Sequence, residues 1–119
     1  MAEADGDAEL TERIARSLEE LGFFLGHREL DDPRRVAGLI SAAGLEQLLE
    51  LRFIDSKRLF YIVEPSRRPC RSRCWSECRR GGDPGCQAAC EQRCLDELRR
   101  RVAEALRNAA RRGRRGRPG

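Results

Sequence analysis

All six cysteines of this sequence lie in one short stretch, and cysteine is the residue type here that can take part in the widest range of chemistry. Thiols can pair as disulfides, bind zinc or iron–sulfur clusters, or act in redox sensing. Their spacing, Cys-x3-Cys-x3-Cys-x7-Cys-x3-Cys-x3-Cys, is symmetric about its centre. The six residues are Cys70, Cys74, Cys78, Cys86, Cys90 and Cys94.

The spacing of the cysteines predicts the elements that carry them. Residues four apart lie on one face of a helix, so each set of three cysteines forms a stripe. Turn-forming residues separate the two stripes, at positions 79–85. We therefore expect an antiparallel helical hairpin, with a first helix from Ser66 to about Arg80 and a second from Asp83-Pro84. Facing cysteines of such a hairpin can pair as Cys70–Cys94, Cys74–Cys90 and Cys78–Cys86.

Zinc binding by the cysteines is the main alternative to disulfides. Zinc sites favour cysteine pairs separated by two to four residues, so two Cys-x3-Cys pairs could form a four-thiolate site. The usual iron–sulfur ligand spacings differ from this one. Six symmetric cysteines suit three disulfides better than one metal with two cysteines left over. We predict disulfides and no cofactor or metal, with zinc as the minority interpretation.

The cysteine stretch resembles the twin Cys-x3-Cys helical hairpins of small mitochondrial import chaperones and plant α-hairpinin peptides. The pairs Cys74/Cys78 and Cys86/Cys90 match that pattern, within residues 70–94. A third pair and a shorter connecting loop distinguish this chain from them. The resemblance implies a local architecture and its disulfide pairing, but no chaperone or defence activity.

Composition and cysteine content together bear on the cellular location. Residues 1–7 are acidic without an apolar segment, so we expect a disordered N-terminus and no secretory signal. No apolar run reaches the roughly 20 residues that span a bilayer, so no membrane contact is expected. Intracellular disulfides are typical of hyperthermophiles, and the chain has 23 arginines but only one lysine, Lys57. These features predict a cytoplasmic protein of a hyperthermophilic prokaryote.

The N-terminal half shows helical periodicity followed by strand-like runs. An apolar stripe at four-residue steps predicts a helix over residues 8–21, with Asp7 as N-cap and Gly22 ending it. Asp32-Pro33 starts a second helix, which ends at Gly44, and residues 45–50 can form a short third helix. His27 is expected in a loop between the first two helices.

Two apolar runs, 51–54 and 59–63, predict a β-hairpin. With a turn centred on Ser56-Lys57, Phe53 would face Phe60 and Leu51 would face Ile62.

This order of elements over residues 8–64 resembles a winged helix, with a helix-turn-helix at 33–50 and a wing at 51–64. The predicted fold class is thus mainly α with a small β-hairpin: a winged-helix-like N-terminal unit followed by a disulfide-stapled antiparallel helical hairpin over 66–110. The resemblance implies a DNA-binding transcriptional regulator. Such regulators often dimerise through an added C-terminal helix. The stripe Leu98, Val102 and Leu106 is expected to dock on the N-terminal unit or on a second copy.

Charge is distributed unevenly along the chain. Residues 1–50 hold 12 acidic and 5 basic residues, whereas residues 51–119 hold 8 acidic and 19 basic residues. The basic half ends in a flexible Arg/Gly tail at 111–119. Such asymmetry suggests a polyanionic partner, although the two halves could instead pair with each other. The residues expected to bind nucleic acid are Arg52, Lys57, Arg58, Arg111, Arg112, Arg114, Arg115 and Arg117.

The predicted third helix carries Glu46 and Glu50 but no arginine, which is unusual for a helix that reads base edges. We therefore expect a small basic nucleic-acid-binding protein, a regulator or chromatin-type protein, that contacts mainly phosphates. The alternative is a protein-interaction module or accessory subunit in which the cystine hairpin is a rigid strut. One histidine and no nucleophile–base pattern argue against an enzyme or a small-molecule substrate.

Overall fold

The computed structural model describes the backbone of residues 2–80 and 83–115, and the side chains of residues 6–80 and 83–113. The described chain is mainly helical, with one small antiparallel sheet. Its elements in chain order are α1 (Ala2–Leu21), β1 (Phe24–His27), α2 (Pro33–Ala42), β2 (Leu49–Phe53), β3 (Phe60–Pro65), α3 (Arg68–Cys78) and α4 (Cys86–Arg115).

Helix α1 follows the predicted apolar stripe but begins earlier than the sequence suggested. It starts at Ala2, so the N-cap expected at Asp7 is wrong. Asp7 lies within the helix, where its carboxylate forms an ion pair with Arg35 at 2.6 Å. The Thr11 hydroxyl donates a hydrogen bond to the Asp7 carbonyl at 2.7 Å. The helix ends at Gly22 as predicted, with a φ of 86° that favours glycine.

Helix α2 begins and ends where its capping residues predict. The Asp32 carboxylate accepts a hydrogen bond from the Arg34 backbone N–H at 3.0 Å, and Pro33 occupies the first turn. Both features are typical of a helix start, because proline lacks the N–H that would otherwise need a partner. Beyond the helix, Gly44 adopts a φ of 74° and redirects the chain.

The predicted third helix is wrong. After Gly44 the chain makes a single turn, in which the N–H groups of Leu48 and Leu49 both donate to the Leu45 carbonyl. Strand β2 then starts at Leu49, inside the segment expected to be helical. Leu45 and Leu49 are both buried, and strand pairing extends from Leu49 because alternate residues of this segment face the core. The helix-turn-helix expected at 33–50 is therefore incomplete.

The sheet has three strands in the order β1-β3-β2 instead of the expected two-stranded hairpin. Strand β1 was not predicted; it contains His27, which therefore lies in a strand and not in a loop. The register of β2 on β3 places Phe53 opposite Tyr61 and Leu51 opposite Val63. The expected pairing of Phe53 with Phe60 is wrong by one residue.

The register differs because the connecting loop has an odd number of residues, 55–59. The Ile54 N–H donates to the Phe60 carbonyl at 3.1 Å, which closes the loop. Arg58 adopts a φ of 56° within it, a left-handed conformation that a loop of this kind uses to reverse direction.

The core lies between α1, the second half of α4 and one face of the sheet. Ile14 and Leu18 of α1, Tyr61 and Val63 of β3, and Val102 and Leu106 of α4 belong to one cluster and are fully buried or nearly so. Leu98 joins the same cluster at 6% exposure. The α4 stripe thus packs within its own chain, and these three side chains offer no free surface to a second copy.

Helices α3 and α4 form the predicted hairpin, joined by three nested disulfides. The pairs are Cys70–Cys94, Cys74–Cys90 and Cys78–Cys86, with Cα–Cα distances of 5.5, 5.7 and 5.7 Å. This confirms the pairing expected from the symmetric spacing. Because each of the six sulfurs is bonded to one other sulfur, none is a thiolate that could bind zinc.

Helix α4 differs from the prediction at both ends. It begins at Cys86. Just before this start, the Asp83 carboxylate accepts a hydrogen bond from the Gly85 N–H at 2.9 Å. It continues to Arg115, so the flexible tail expected from residue 111 is helical over its first five residues. Residues 116–119, which include Arg117, lie outside the described chain. No helix within the described residues is long and apolar enough to cross a membrane.

Candidate nucleic-acid interface

The loop between β2 and β3 presents two exposed cations. Its conformation is fixed by Asp55, whose carboxylate accepts hydrogen bonds from the N–H groups of Phe60 at 2.8 Å and Leu59 at 3.1 Å. These backbone hydrogen bonds lower the pKa of Asp55. The loop therefore holds Lys57 and Arg58 on a defined turn, and both side chains are exposed.

An open groove of about 860 Å³ lies between this loop and the start of α2. Three arginines from separate segments line it: Arg28 after β1, Arg34 in the first turn of α2, and Arg58 in the loop. The remaining lining residues are mostly apolar, and they are Asp32, Pro33, Ala37, Leu51 and Phe53. The Arg58 guanidinium lies 5.7 Å from the centroid of the Phe53 ring, a cation–π distance that holds it over the groove.

Several arginines elsewhere in the described chain are paired with carboxylates, but those of the groove are not. Within the described residues, Arg28, Arg34 and Arg58 form no ion pair. Among the described residues that line the groove, only Asp32 has a carboxylate, and it caps α2. By contrast, seven other arginines each have a carboxylate within ion-pair distance: Arg13, Arg35, Arg52, Arg71, Arg73, Arg99 and Arg107. The groove is thus a site where positive charge remains available to an anion.

Arg52, which the sequence suggested as a phosphate ligand, lies on the other side of the sheet. Its neighbours Leu51 and Phe53 line the groove, and successive residues of a strand point to opposite faces. The Arg52 guanidinium forms an ion pair with Glu64 at 3.1 Å. The structure therefore brings Arg58 to the groove with Lys57 beside it in the loop, and places Arg52 elsewhere.

The C-terminal arginines lie along the last turns of α4. Arg111 and Arg112 are exposed, and Arg111 lines a second groove of about 450 Å³ with Glu12, Arg16 and Arg107. Arg107 forms a two-point ion pair with Glu19 of α1, which lowers the pKa of Glu19. The side chains of Arg114 and Arg115, like the whole of Arg117, lie outside the described part of the structure.

Arg28 and Arg34 were missed by reasoning from the sequence. Arg28 reaches the groove because β1 pairs with β3 and its own N–H donates to the Leu59 carbonyl at 2.8 Å. That contact joins residues 31 positions apart, and no local pattern reports it. Arg34 carried a weak signal, because it follows Asp32-Pro33 at a helix N-terminus, where anions are favoured.

The outer face of the sheet exposes several large apolar side chains. Leu25 in β1 is 51% exposed and Phe60 in β3 is 41% exposed, and Ile54, directly after β2, is 50% exposed. The His27 ring packs edge-on against Phe60, with 4.8 Å between the ring centroids. This surface differs from the arginine groove because it exposes large apolar side chains, and its arginine, Arg52, is paired with Glu64.

Comparisons with known proteins add no family to these observations. No protein-family model matches the chain, and neither a curated protein nor a solved structure was found to be similar to it.

Proposed function

We propose that this protein binds nucleic acid through the arginine groove between α2 and the β2–β3 loop, contacting mainly the phosphate backbone. The observation that carries the proposal is the convergence of Arg28, Arg34 and Arg58, from three segments, with no ion-pair partner among the described residues. An arginine side chain left without a carboxylate partner is available for a phosphate, to which it can donate two hydrogen bonds.

Phosphate contact is favoured over base reading by the shape of this site. A helix with polar side chains that fits a major groove is the usual reader of base edges, and the segment expected to supply it, 45–50, forms a turn and the start of β2. The proposed binding is therefore largely independent of sequence and strongly dependent on salt.

We further propose that residues 8–64 are a winged-helix variant whose third helix is reduced to a turn. The order α1-β1-α2-β2-β3, with a basic loop between the last two strands, supports this interpretation. A regulator or chromatin-type role in the cytoplasm of a hyperthermophilic prokaryote would accommodate the three disulfides and the arginine content.

The test is a salt series of fluorescence anisotropy with a labelled 20-base-pair DNA duplex. Three proteins are compared: the wild type, the groove triple variant R28Q/R34Q/R58Q, and the control triple variant R35Q/R52Q/R73Q. The two triple variants have the same net charge, but the control removes arginines that are already ion-paired. Removing one phosphate-binding arginine lowers the slope of log K against log salt by about 0.9. The groove variant should therefore show a slope smaller by about 2 to 3 units, and the control a decrease of less than about one unit.

Two results would contradict the proposal. If both triple variants weakened binding equally, net charge and not the groove would be responsible. If the wild type failed to bind the duplex even at about 20 mM salt, where phosphate contacts are strongest, the groove would have another function.

A protein-interaction role is the second candidate, and the apolar outer face of the sheet favours it. The variant F60D places a charge within that surface and leaves the groove intact. Under the second candidate, F60D disrupts association with a partner protein, while the wild type shows no duplex binding. Under the first candidate, F60D and the wild type bind the duplex equally.

A further inference from the structure

Trp75, the only tryptophan of the chain, lies on the surface of the cystine hairpin. It is 62% exposed in the middle of α3. A tryptophan in a small helical hairpin ordinarily belongs to its core, because burying so large a ring stabilises the fold. In α3 the disulfides perform that role, and the buried residues of the helix are Cys70 and Cys74. The indole ring is therefore free to bind a ligand.

Exposed arginines lie one and two turns away from Trp75 along α3. Arg71 lies one turn before it and Arg79 one turn after it, and residues four apart on a helix are neighbours. The Arg79 N–H donates to the Trp75 carbonyl at 3.0 Å, so helical geometry persists through that position. Arg68 lies two turns before Trp75, on the same side. Arg71 has a carboxylate partner, Glu91, at 3.8 Å, whereas Arg68 and Arg79 form no ion pair within residues 6–80 and 83–113.

The surroundings of Trp75 distinguish between three classes of partner. A protein interface places its tryptophan among apolar neighbours and depletes charge from its centre, whereas arginines occupy the positions one turn before and one turn after Trp75 on α3. A membrane-surface helix needs an apolar face several residues wide, and α3 exposes one large apolar side chain. A single aromatic ring between arginines matches single-stranded nucleic acid, in which a base stacks on the ring and cations contact the flanking phosphates.

We infer that Trp75, with Arg68, Arg71 and Arg79, is a stacking site for one base of single-stranded DNA or RNA. This inference rests on the proposed nucleic-acid function and adds a second contact surface to it. The three disulfides hold α3 against α4, so the backbone positions that carry Trp75 and these arginines are fixed without a ligand. A duplex keeps its bases stacked inside, so this site should distinguish single from double strands.

The experiment uses the fluorescence of Trp75, which reports on this site alone because no other tryptophan is present. The oxidised full chain is titrated with single-stranded (dT)20, with the 20-base-pair duplex, and with inorganic polyphosphate, which has charge but no bases. We expect (dT)20 to quench the fluorescence and polyphosphate to leave it nearly unchanged. The substitution Trp75→Ala, followed by anisotropy, should weaken (dT)20 binding by about 5- to 150-fold, the range for removing one base–aromatic stack. Duplex affinity should stay within about twofold of the wild type, because the duplex offers no free base to the ring.

Leu30→Ala is the matched control, because Leu30 is 81% exposed and lies outside α3; it should leave (dT)20 affinity unchanged. The inference is overturned if (dT)20 binds without quenching, or if Trp75→Ala binds it as tightly as the wild type. It is also overturned if vesicles of phosphatidylglycerol shift the emission to the blue while (dT)20 has no effect, which would indicate a membrane surface.

The two proposals fail separately in these measurements. If duplex binding depends on the groove arginines but (dT)20 causes no quenching, only the stacking site is contradicted. If (dT)20 quenches the fluorescence but the duplex does not bind, the proposed role of the groove is contradicted and the stacking site is supported.

Discussion

At the residue scale, Gly26 is required by the close approach of Tyr61. The Tyr61 side chain is fully buried, and its hydroxyl donates a hydrogen bond to the Asp31 carbonyl at 2.5 Å. A Cβ atom built on Gly26 would lie 2.2 Å from the Cζ atom of Tyr61. Gly26 stands opposite Tyr61 in the register of β1 on β3, so the absence of a side chain makes room for the ring.

We predict that Gly26→Ala lowers the free energy of unfolding by about 1–3 kcal/mol, the usual cost of overpacking a core. Gly38→Ala is the matched control. A Cβ there meets nothing within 4 Å, and the position lies inside α2, so alanine should stabilise the helix by up to about 1 kcal/mol. Urea denaturation of both variants measures the difference. Equal effects of the two substitutions would show that the ring can move aside.

Tyr61 also predicts a dependence of stability on pH. Burial, followed by the charges of Asp31 and Asp32, raises its pKa to about 12, whereas the pKa of a tyrosine in an unfolded chain is about 10. The folded state therefore binds more protons between these values. The stabilisation is complete below about pH 10 and is lost as the pH rises towards 12.

The absorbance of tyrosinate near 295 nm measures this titration directly, because Tyr61 is the only tyrosine. We expect a midpoint of about 12 in the native protein and of about 10 in urea. Unfolding free energies should fall more between about pH 9 and about pH 11 for the wild type than for Tyr61→Phe. A native midpoint of about 10 would contradict the buried, hydrogen-bonded hydroxyl.

At the element scale, the sequence predicted what depends on local spacing and missed what depends on pairing. Helix α2 was predicted by Asp32-Pro33 and the cystine hairpin by four-residue steps, both of which are local signals. Residues 45–48 contain good helix formers, but pairing of the following segment with β3 outweighs their propensity. Strand β1 is four residues long and includes a glycine, too little for a period-two pattern to show.

The same division applies to the proposed site. Lys57 and Arg58 were expected because a turn between two strands exposes its charges. Arg28 and Arg34 could not be expected, because tertiary contacts bring them together. In the sequence Trp75 is the only large apolar residue between Cys70 and Cys94, but its exposure follows from the disulfides, which leave it no core to enter.

The three disulfides are predicted to differ in their contribution to stability. Cys70 and Cys94 are buried at 1% and 8% exposure, whereas Cys78 and Cys86 are half-buried. Replacing the first pair with serine removes a crosslink and buries two hydroxyls, so C70S/C94S should cost about 2–4 kcal/mol. C78S/C86S should cost less, about 1–2 kcal/mol, because the two remaining bonds already restrain the connecting loop.

Chemical denaturation of the oxidised variants tests this order. Intact mass should rise by about 6 Da when the wild type is reduced, since each disulfide takes up two hydrogens. A larger destabilisation by C78S/C86S than by C70S/C94S would mean that the disulfide beside the connecting loop, and not the buried one, contributes most to the stability of the hairpin. An unchanged mass on reduction would mean that the cysteines are not paired.

At the scale of the whole molecule, α4 joins two parts that differ in how they are stabilised. Its first turns, 86–94, are held to α3 by disulfides, and its later turns are held to α1 by apolar burial. The ion pair between Arg107 and Glu19 adds a surface contact to the second part. An arginine-rich hairpin and a packed N-terminal unit are thereby fixed relative to each other through one 30-residue helix.

We predict that Leu106→Ala destabilises the N-terminal unit by about 2–5 kcal/mol, because the side chain is fully buried between α4 and α1. Leu30→Ala, at 81% exposure, should change stability by less than about 0.5 kcal/mol. Thermal unfolding followed by circular dichroism compares them. A small effect of Leu106→Ala would indicate that α4 does not depend on α1 for its position.

The symmetric cysteine spacing has a consequence for oxidative folding. Six cysteines allow about 15 complete pairings, yet in an antiparallel hairpin the register of the two helices decides which cysteines face each other. A hairpin shifted by four residues can pair Cys74 with Cys94 and Cys78 with Cys90, but this leaves Cys70 and Cys86 as free thiols. Such thiols can attack neighbouring disulfides and return the shifted isomer to exchange. The register with three bonds has no free thiol, so it is the isomer in which this exchange stops.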